Sequence, residues 1–443
     1  MRRLALVFLL LTWVPGAGAM TIARVTTPTG IEAWLVEDHA LPVVTFRFAF
    51  PGGAALDPAG KGGLASFATS LLDEGAGPYD TAGFKTRLED LVTDLHFTAG
   101  RDDLTGGLRT LKRNLGEAAE LLRLALTAPR FEPSAVERVR SELLASLAQQ
   151  AKSPGELSRR LWMRDAFEDH PYGANVGGTV ESVGAITRDD LNGFVAERLH
   201  RAGLVIAAVG DVTPDEFALV ADRVFGGLPV GGRDPEVAET KPAESGAVAI
   251  SRRPVPQSVV TFGQVGPKRD DPEWYAARLV DEVLGGGGFR GRLMKEIREK
   301  RGLTYGVSTQ LVSFRHAGVI LGGVATVNAR VAQVVALVRQ EWRRMRDEGP
   351  TEAELDDAKA YLIGSFPLTL DSSGHIAALL VEMQLQGLGF DYLDRRSRLF
   401  GTVTLDEARG AAHRLLDPDG LSFAVVGDPV DLAPTRTAPE PRL

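Results

Sequence analysis

The feature that most constrains this chain is that it repeats itself once. Ala208-Val209-Gly210-Asp211 recurs as Val425-Val426-Gly427-Asp428, with the aspartates 217 positions apart. Ile186-Thr187-Arg188-Asp189-Asp190 recurs as Val403-Thr404-Leu405-Asp406-Glu407, with the threonines at the same 217 offset. Upstream, Glu132-Pro133-Ser134-Ala135 answers to Gly349-Pro350-Thr351-Glu352, prolines again 217 apart, and each opens a helix-like run. Three matches in one order at one offset argue for duplication. The period is far too long for a solenoid, so the repeating unit is a whole domain.

Within each copy, strand and helix patterns alternate. Ile31 to Val36 and Val43 to Phe50 have the alternation of paired antiparallel strands, with His39-Ala40-Leu41-Pro42 between them. Gly62 to Leu72 and Asp80 to Leu91 have helical spacing, and Leu108 to Leu126 reads as a longer amphipathic helix. Leu204 to Val209 is an apolar strand closed by Gly210-Asp211. In the second copy Val259 to Gly263 opens a strand and Pro272 to Leu284 a helix, while Thr304 to Val312 and Gly318 to Ala325 read as a strand pair. The expected class is α+β, two homologous domains each with an antiparallel-rich sheet covered by helices on one face. The expected division is a leader at 1–19, a first domain at 20–228, a linker rich in Gly, Pro and charge at 229–247, a second domain at 248–432 and a fraying proline-bearing tail at 433–443.

The leader is a sequence-level expectation of export. Arg2-Arg3 form a positive start, Leu4 to Val14 a short apolar run, Pro15-Gly16 a break, and Ala17-Gly18-Ala19 a small-residue cleavage site. Cleavage near Ala19 predicts a periplasmic or secreted protein without a membrane anchor. The chain has no cysteine, so neither disulfides nor a lipidated cysteine can serve it outside the cell. Its net charge of −8, more negative still without Arg2 and Arg3, argues against a nucleic-acid partner.

Two groups of motifs then resemble a known family. His170-Pro171-Tyr172-Gly173, Gly178-Thr179-Val180-Glu181-Ser182 and Ile186 to Leu191 look like the first-domain signature of the insulinase, or pitrilysin-type, M16 peptidases. Leu284-Gly285-Gly286-Gly287-Gly288, Arg292-Leu293 and Arg298 to Tyr305 look like the matching second-domain signature. The resemblance implies the fold of the mitochondrial-processing-peptidase-like metallohydrolases.

Active family members carry H-x-x-E-H on the helix after the first strands. Two imidazoles at i and i+4 bind zinc, and the glutamate acts as base. The matching positions here hold Ser66, Thr69 and Ser70, neutral hydroxyls that make poor zinc ligands and no base. The seven histidines, His39, His96, His170, His200, His316, His375 and His413, include no pair within one helical turn. The third family ligand, a glutamate, aligns best with Val139, with Glu137 and Glu142 nearby. The expectation is a chain with no metal or cofactor of its own.

The second-domain signature keeps its functional pair. Arg298 and Tyr305 span the end of an expected helix from Arg292 to Lys300, the turn at Arg301-Gly302 and the start of a strand. The resemblance implies that this pair approaches the zinc of an active chain from the opposite half of the enzyme. An ordinary ion pair of Arg298 with Glu296 or Glu299, and Tyr305 packed on a sheet edge, is the competing reading. Within the run Gly285 to Gly288, Gly286 and Gly288 formally fit a dinucleotide fingerprint with Gly291, but the preceding helix pattern and the missing βαβ unit speak against it. A mobile loop between helices, near the substrate chamber by resemblance, is the reading preferred.

Together these imply a non-catalytic subunit of a two-subunit zinc metallopeptidase. A homologous chain bearing H-x-x-E-H would hold the zinc, and Arg298 and Tyr305 would act on the peptide substrate from this chain. The two chains would close as a clamshell, with peptide added to the partner's sheet edge. A homodimer is the less favoured assembly. A non-enzymatic peptide-binding or assembly scaffold is the alternative.

Overall fold

The computed structural model describes residues 20–231 and 236–436. The expected leader, residues 232–235 of the linker and residues 437–443 of the tail lie outside them. The first sheet contains β1 (Ala23–Thr26), β2 (Glu32–Glu37), β3 (Val43–Pro51), β4 (Asp94–Ala99), β5 (Asp103–Leu111) and β6 (Val205–Gly210), in the order β1-β2-β6-β3-β5-β4. The second contains β7 (Val248–Arg252), β8 (Gln257–Val265), β9 (Val307–Ser313), β10 (Gly318–Val327) and β11 (Ser422–Gly427), in the order β7-β11-β8-β10-β9. Without β1, the two orders are the same, and in each a single parallel pair (β2 with β6, β7 with β11) sits among antiparallel ones. The class is α+β, built twice.

The repeat is visible atom by atom. Strands β6 and β11 begin and end 217 residues apart. Thr187 and Thr404 each cap a helix, their hydroxyls accepting from the backbone N–H of Asp190 and Glu407 while those carboxylates reach back to the cap. Pro133 opens helix Pro133–Gln150, and Thr351, just after Pro350, caps helix Glu352–Gly364.

In β3 the even residues Phe46, Phe48 and Phe50 turn into a core with Phe67, Phe217 and Phe225, as a period of two requires. Its odd residues are where the first correction falls. Each sheet is covered on both faces, not one, and the second cover comes from the other half of the chain. Helix Pro154–Ala166 lays Leu161, Trp162, Met163 and Ala166 on Ala249, Val319 and Ala424 of the second sheet. Helix Ser373–Leu385 returns the exchange, laying Ala377, Leu380 and Val381 on Trp34, Val36, Ala49 and Ala207 of the first. A buried hydroxyl pair marks each seam, Ser158 with Thr261 at 2.8 Å and Thr45 with Ser373 at 3.0 Å. Each large side chain so buried contributes about 1.5–3 kcal/mol, so the halves form a single folded unit.

Further corrections concern pairing and boundaries. Strands β2 and β3 are not hairpin partners; β6, apolar and buried on both faces, lies between them. Alternation reports which face a strand buries but not its neighbour. The helix expected from Leu108 starts only at Leu115, because residues through Leu111 extend β5 between β3 and β4. The tail expected to fray is bound as far as Arg436: Thr435 N–H donates to the Val248 carbonyl at 3.0 Å and its hydroxyl accepts from Val248 N–H at 2.8 Å. Edge strand β7 has backbone groups to satisfy, and the tail supplies partners. The linker is likewise tied down, Thr240 N–H to the His316 carbonyl and Ala243 N–H to that of Ala166.

A clasp joins the tips of two hairpins. The buried Tyr172 hydroxyl donates to Asp102, at the β4–β5 turn, at 2.5 Å, and accepts from His316 N–H, at the β9–β10 turn, at 3.0 Å. Arg315 adds a backbone bond to Asp102 at 2.9 Å and an ion pair to Asp103 at 2.5 Å.

Candidate functional site

The helix that matches the family's zinc motif, Leu64–Thr69, is short and buried along most of its length. Its amino end is held by Asp57, whose carboxylate accepts from Gly63 N–H at 2.7 Å and Ala65 N–H at 3.0 Å. Burial pushes this carboxyl up to about 6, against the pull of those backbone donors. The three motif hydroxyls are turned inward on the main chain. Ser66 donates to the Val176 carbonyl at 3.0 Å, Thr69 to the Ala65 carbonyl at 2.9 Å, and Ser70 to the Ser66 carbonyl at 2.8 Å. Val139 is buried in the first core, while Glu137 and Glu142 point outward to Arg140 and Arg138. Among the described residues no three His, Cys, Asp or Glu side chains gather to hold a metal ion. A zinc ion does not fit here: neutral hydroxyls aimed at main-chain carbonyls are poor zinc ligands, and the third position is a hydrocarbon.

The opposite situation holds at Arg298 and Tyr305. The expected helix is instead wound mostly as a π-turn, Met294–Glu299, with Lys300 N–H reaching the Lys295 carbonyl. Such widened turns recur at functional sites. Gly302, at φ +61°, closes it by donating to the Arg298 carbonyl at 2.8 Å. Strand β9 begins at Val307, so Tyr305 lies on the turn before it rather than on the strand. That turn is rigidly tied. Thr304 donates to the Ala325 carbonyl at 2.7 Å and accepts from Gly306 N–H at 3.1 Å. Between these anchors the Tyr305 side chain points outward, 89% exposed.

Arg298 is not consumed by the acids beside it. Glu296 is engaged by Lys300 and by Arg301 at 2.7 Å. The guanidinium of Arg298 lies instead over the ring of Phe289, 4.5 Å from its centroid. Stacking uses the face of a guanidinium and leaves its in-plane N–H donors available.

The glycine run joins this corner to a buried acid pair. Glu282–Gly286 is a second π-turn and Gly288–Arg290 a tight helical turn, so the run expected as a mobile loop is wound backbone. A Cβ on Gly285 would stand 2.6 Å from the Thr309 hydroxyl, and one on Gly286 2.7 Å from an Asp281 oxygen. Gly288 adopts φ +57°, favoured by glycine. Beneath the run, Asp281 accepts from Thr309 at 2.6 Å and Arg278 at 3.2 Å, and burial pushes its carboxyl up to about 6. Glu282 takes Arg278 and Arg290, each at 3.0 Å.

Residues 185–362 match the family described as peptidase M16 inactive domain. The Helicobacter pylori protein named non-peptidase homolog YmxG is 31% identical over 393 residues, 88% of this chain and 90% of that one. The chain belongs to the peptidase M16 family. A Mycobacterium leprae relative named an uncharacterized zinc protease is 28% identical over 404 residues and 89% of each chain. The crystal structure of a peptidase M16 inactive domain from Pseudomonas fluorescens superimposes with a TM-score of 0.87 at 29% identity, covering 94% of this chain and all of that one.

For this M16 chain, then, the sequence-derived candidates divide into two sets that are not brought together by any hydrogen bond or ring contact described. Thr69 and Ser70 serve their own helix and Ser66 ties it to the Val176 carbonyl; Arg298 meets the end of the Gly285 to Gly288 run through Phe289, with Tyr305 on the turn that follows Arg298 in the chain. Sequence reasoning missed Phe289, Asp57 and Asp281. An aromatic residue set directly after four glycines was the available signal for the first. The other two had none, since a cap six residues ahead and an acid facing a distant threonine depend on the fold.

Proposed function

We propose that this chain is the non-catalytic subunit of an exported two-subunit M16 peptidase. It presents Arg298 and Tyr305 to peptide held by a homologous, zinc-bearing partner. The observation that carries the reading is Arg298 itself, lying over Phe289 with no acid described as its partner, and a tyrosine seven residues on that a tied turn holds in solvent. The guanidinium donates to peptide carbonyls, and the phenol donates to the oxyanion that develops when an amide is attacked. Neither group needs a metal on this chain. The name peptidase M16 inactive domain, matched over residues 185–362, supports an inactive subunit. Export rests on residues 1–19 and is tested by recovery of a chain starting near Met20 from the periplasm.

The test of function is reconstitution. The chain alone should not cleave a quenched fluorescent oligopeptide, and its complex with an H-x-x-E-H-bearing M16 chain should. Chelator-sensitive cleavage by this chain alone would overturn the division of labour. A non-enzymatic scaffold is the second reading, favoured by the name non-peptidase homolog of the Helicobacter pylori relative. It predicts assembly with no dependence of any turnover on Arg298 or Tyr305.

A further inference from the structure

The function above assigns no work to Phe289, yet the ring stands 64% exposed at the tip of the glycine run. An apolar ring held in water needs a reason, and its described contact is the guanidinium of Arg298. The turn that carries it is anchored from behind. Arg290, the next residue, pairs with the buried Glu282 at 3.0 Å and stacks on Tyr361 at 3.4 Å. Gly287 N–H donates to the Glu282 carbonyl at 2.9 Å, and Gly291 N–H to that of Gly288 at 3.0 Å. Gly286 and Gly287 let this backbone lie close on Asp281 and Glu282, where an added Cβ would stand 2.7 Å and 2.6 Å from their oxygens. Behind Phe289 the loop is therefore fixed, and in front of it is one cation.

We propose that Phe289 is a positioning residue for Arg298, and that the glycine run serves to hold its ring there. Without the ring, a long guanidinium side chain is free to sample many rotamers. With the ring, it is confined face-on while its edge stays open to peptide carbonyls. Phe289 acts through Arg298 and touches no reacting atom. The inference rests on the function proposed above, in that Arg298 is the group being positioned.

Two measurements test it, one on the chain alone. In the arginine side-chain spectrum the Nε–Hε peak of Arg298, assigned by its loss in Arg298→Lys, should be shifted upfield by the ring. Phe289→Leu should return it to the position of an exposed arginine, while Phe289→Tyr should leave it shifted. In the complex with a zinc-bearing subunit, Phe289→Leu should lower turnover of a fluorescent oligopeptide roughly two- to tenfold, the worth of one cation–π contact. Phe289→Tyr should keep it near the parent, assembly should be unchanged, and in an Arg298→Ala background, where no cation is left to hold, Phe289→Leu should do nothing further. A peak unmoved by Phe289→Leu, or equal losses from the leucine and tyrosine variants, would overturn the positioning role. Should Arg298→Ala leave turnover untouched, the functional reading fails instead, and the spectrum still decides whether the ring holds the arginine.

Discussion

Two helical turns of this chain match family motifs, and the molecule treats them in opposite ways. At Leu64–Thr69 every motif hydroxyl is folded back onto a main-chain carbonyl, and the position of the third ligand is sealed in a core. At Met294–Glu299 the motif arginine is kept from its acidic neighbours, and its tyrosine companion is held in solvent by a pinned turn. A residue that has become structural spends its polar groups on the main chain. A residue kept for a partner leaves them open, and surrounding structure must prevent their capture. On the function proposed above, this contrast is what lets a chain without a metal site of its own still serve as a working surface.

The largest effect should separate the two turns by turnover. In the proposed complex, Tyr305→Phe should cost about 10²–10³ in kcat, as loss of one oxyanion-type donor does, and Arg298→Ala, which removes the donors to peptide carbonyls, should lower kcat/KM by a comparable factor with assembly intact. Writing His, Glu and His into positions 66, 69 and 70 should give no activity to the chain alone, because Val139 supplies no third ligand. Peptide assay and metal analysis of the purified variants check both; activity in the rewritten chain would erase the contrast.

Next is the clasp that keeps both turns in one body. Tyr172→Phe leaves Asp102 and His316 N–H without their shared hydroxyl, and should cost about 1–3 kcal/mol of stability in urea unfolding. If the halves were independent, the variant would instead split unfolding into two transitions. This clasp shows how legible the chain was. The family signature at His170 to Gly173 stood out in the sequence, but its task did not, since Asp102 and His316 lie 70 and 144 residues from Tyr172. The phenylalanines of β3, the capping threonines at 187 and 404 and the 217-residue repeat are local or periodic, and could be read directly. The insertion of β6 between β2 and β3 and the exchange of covering helices depend on which buried surface meets which. Single-sequence patterns do not encode that. The same limit hid Phe289's contact nine residues away, and let a wound, close-packed glycine run pass for a mobile loop.

A smaller effect uses the acid at each turn. Asp57 caps the first and Asp281 underlies the second, and burial pushes both carboxyls up to about 6. Unfolded, each would titrate near 3.9. Between these values the folded chain holds protons that the unfolded chain releases. Stability from these two groups is therefore full below about pH 4 and is lost as the pH rises through about 6. Melting temperatures taken across that window should fall less steeply in Asp57→Asn and in Asp281→Asn than in the parent. Only Asp281→Asn, which loosens the bed of the glycine run, should also change the turnover of the complex; an equal change from Asp57→Asn would show the first turn to be less silent than its hydrogen bonds indicate.

The smallest effects should come from the motif positions themselves. Ser70→Ala removes one hydroxyl from a half-turn whose acceptor, the Ser66 carbonyl, also receives the Ser70 backbone N–H at 3.2 Å, so the acceptor is not orphaned. Its cost should stay within about 0.5 kcal/mol, as for substitutions away from unsatisfied buried groups. Ser66→Ala also deletes the bond to the Val176 carbonyl, which ties the helix to a distant loop, and should cost about 1 kcal/mol. Neither should alter turnover of the complex. The order matters more than the sizes: a hydroxyl kept for chemistry would show its loss in turnover first, whereas one kept for the fold shows it in stability, in proportion to how far away its acceptor lies.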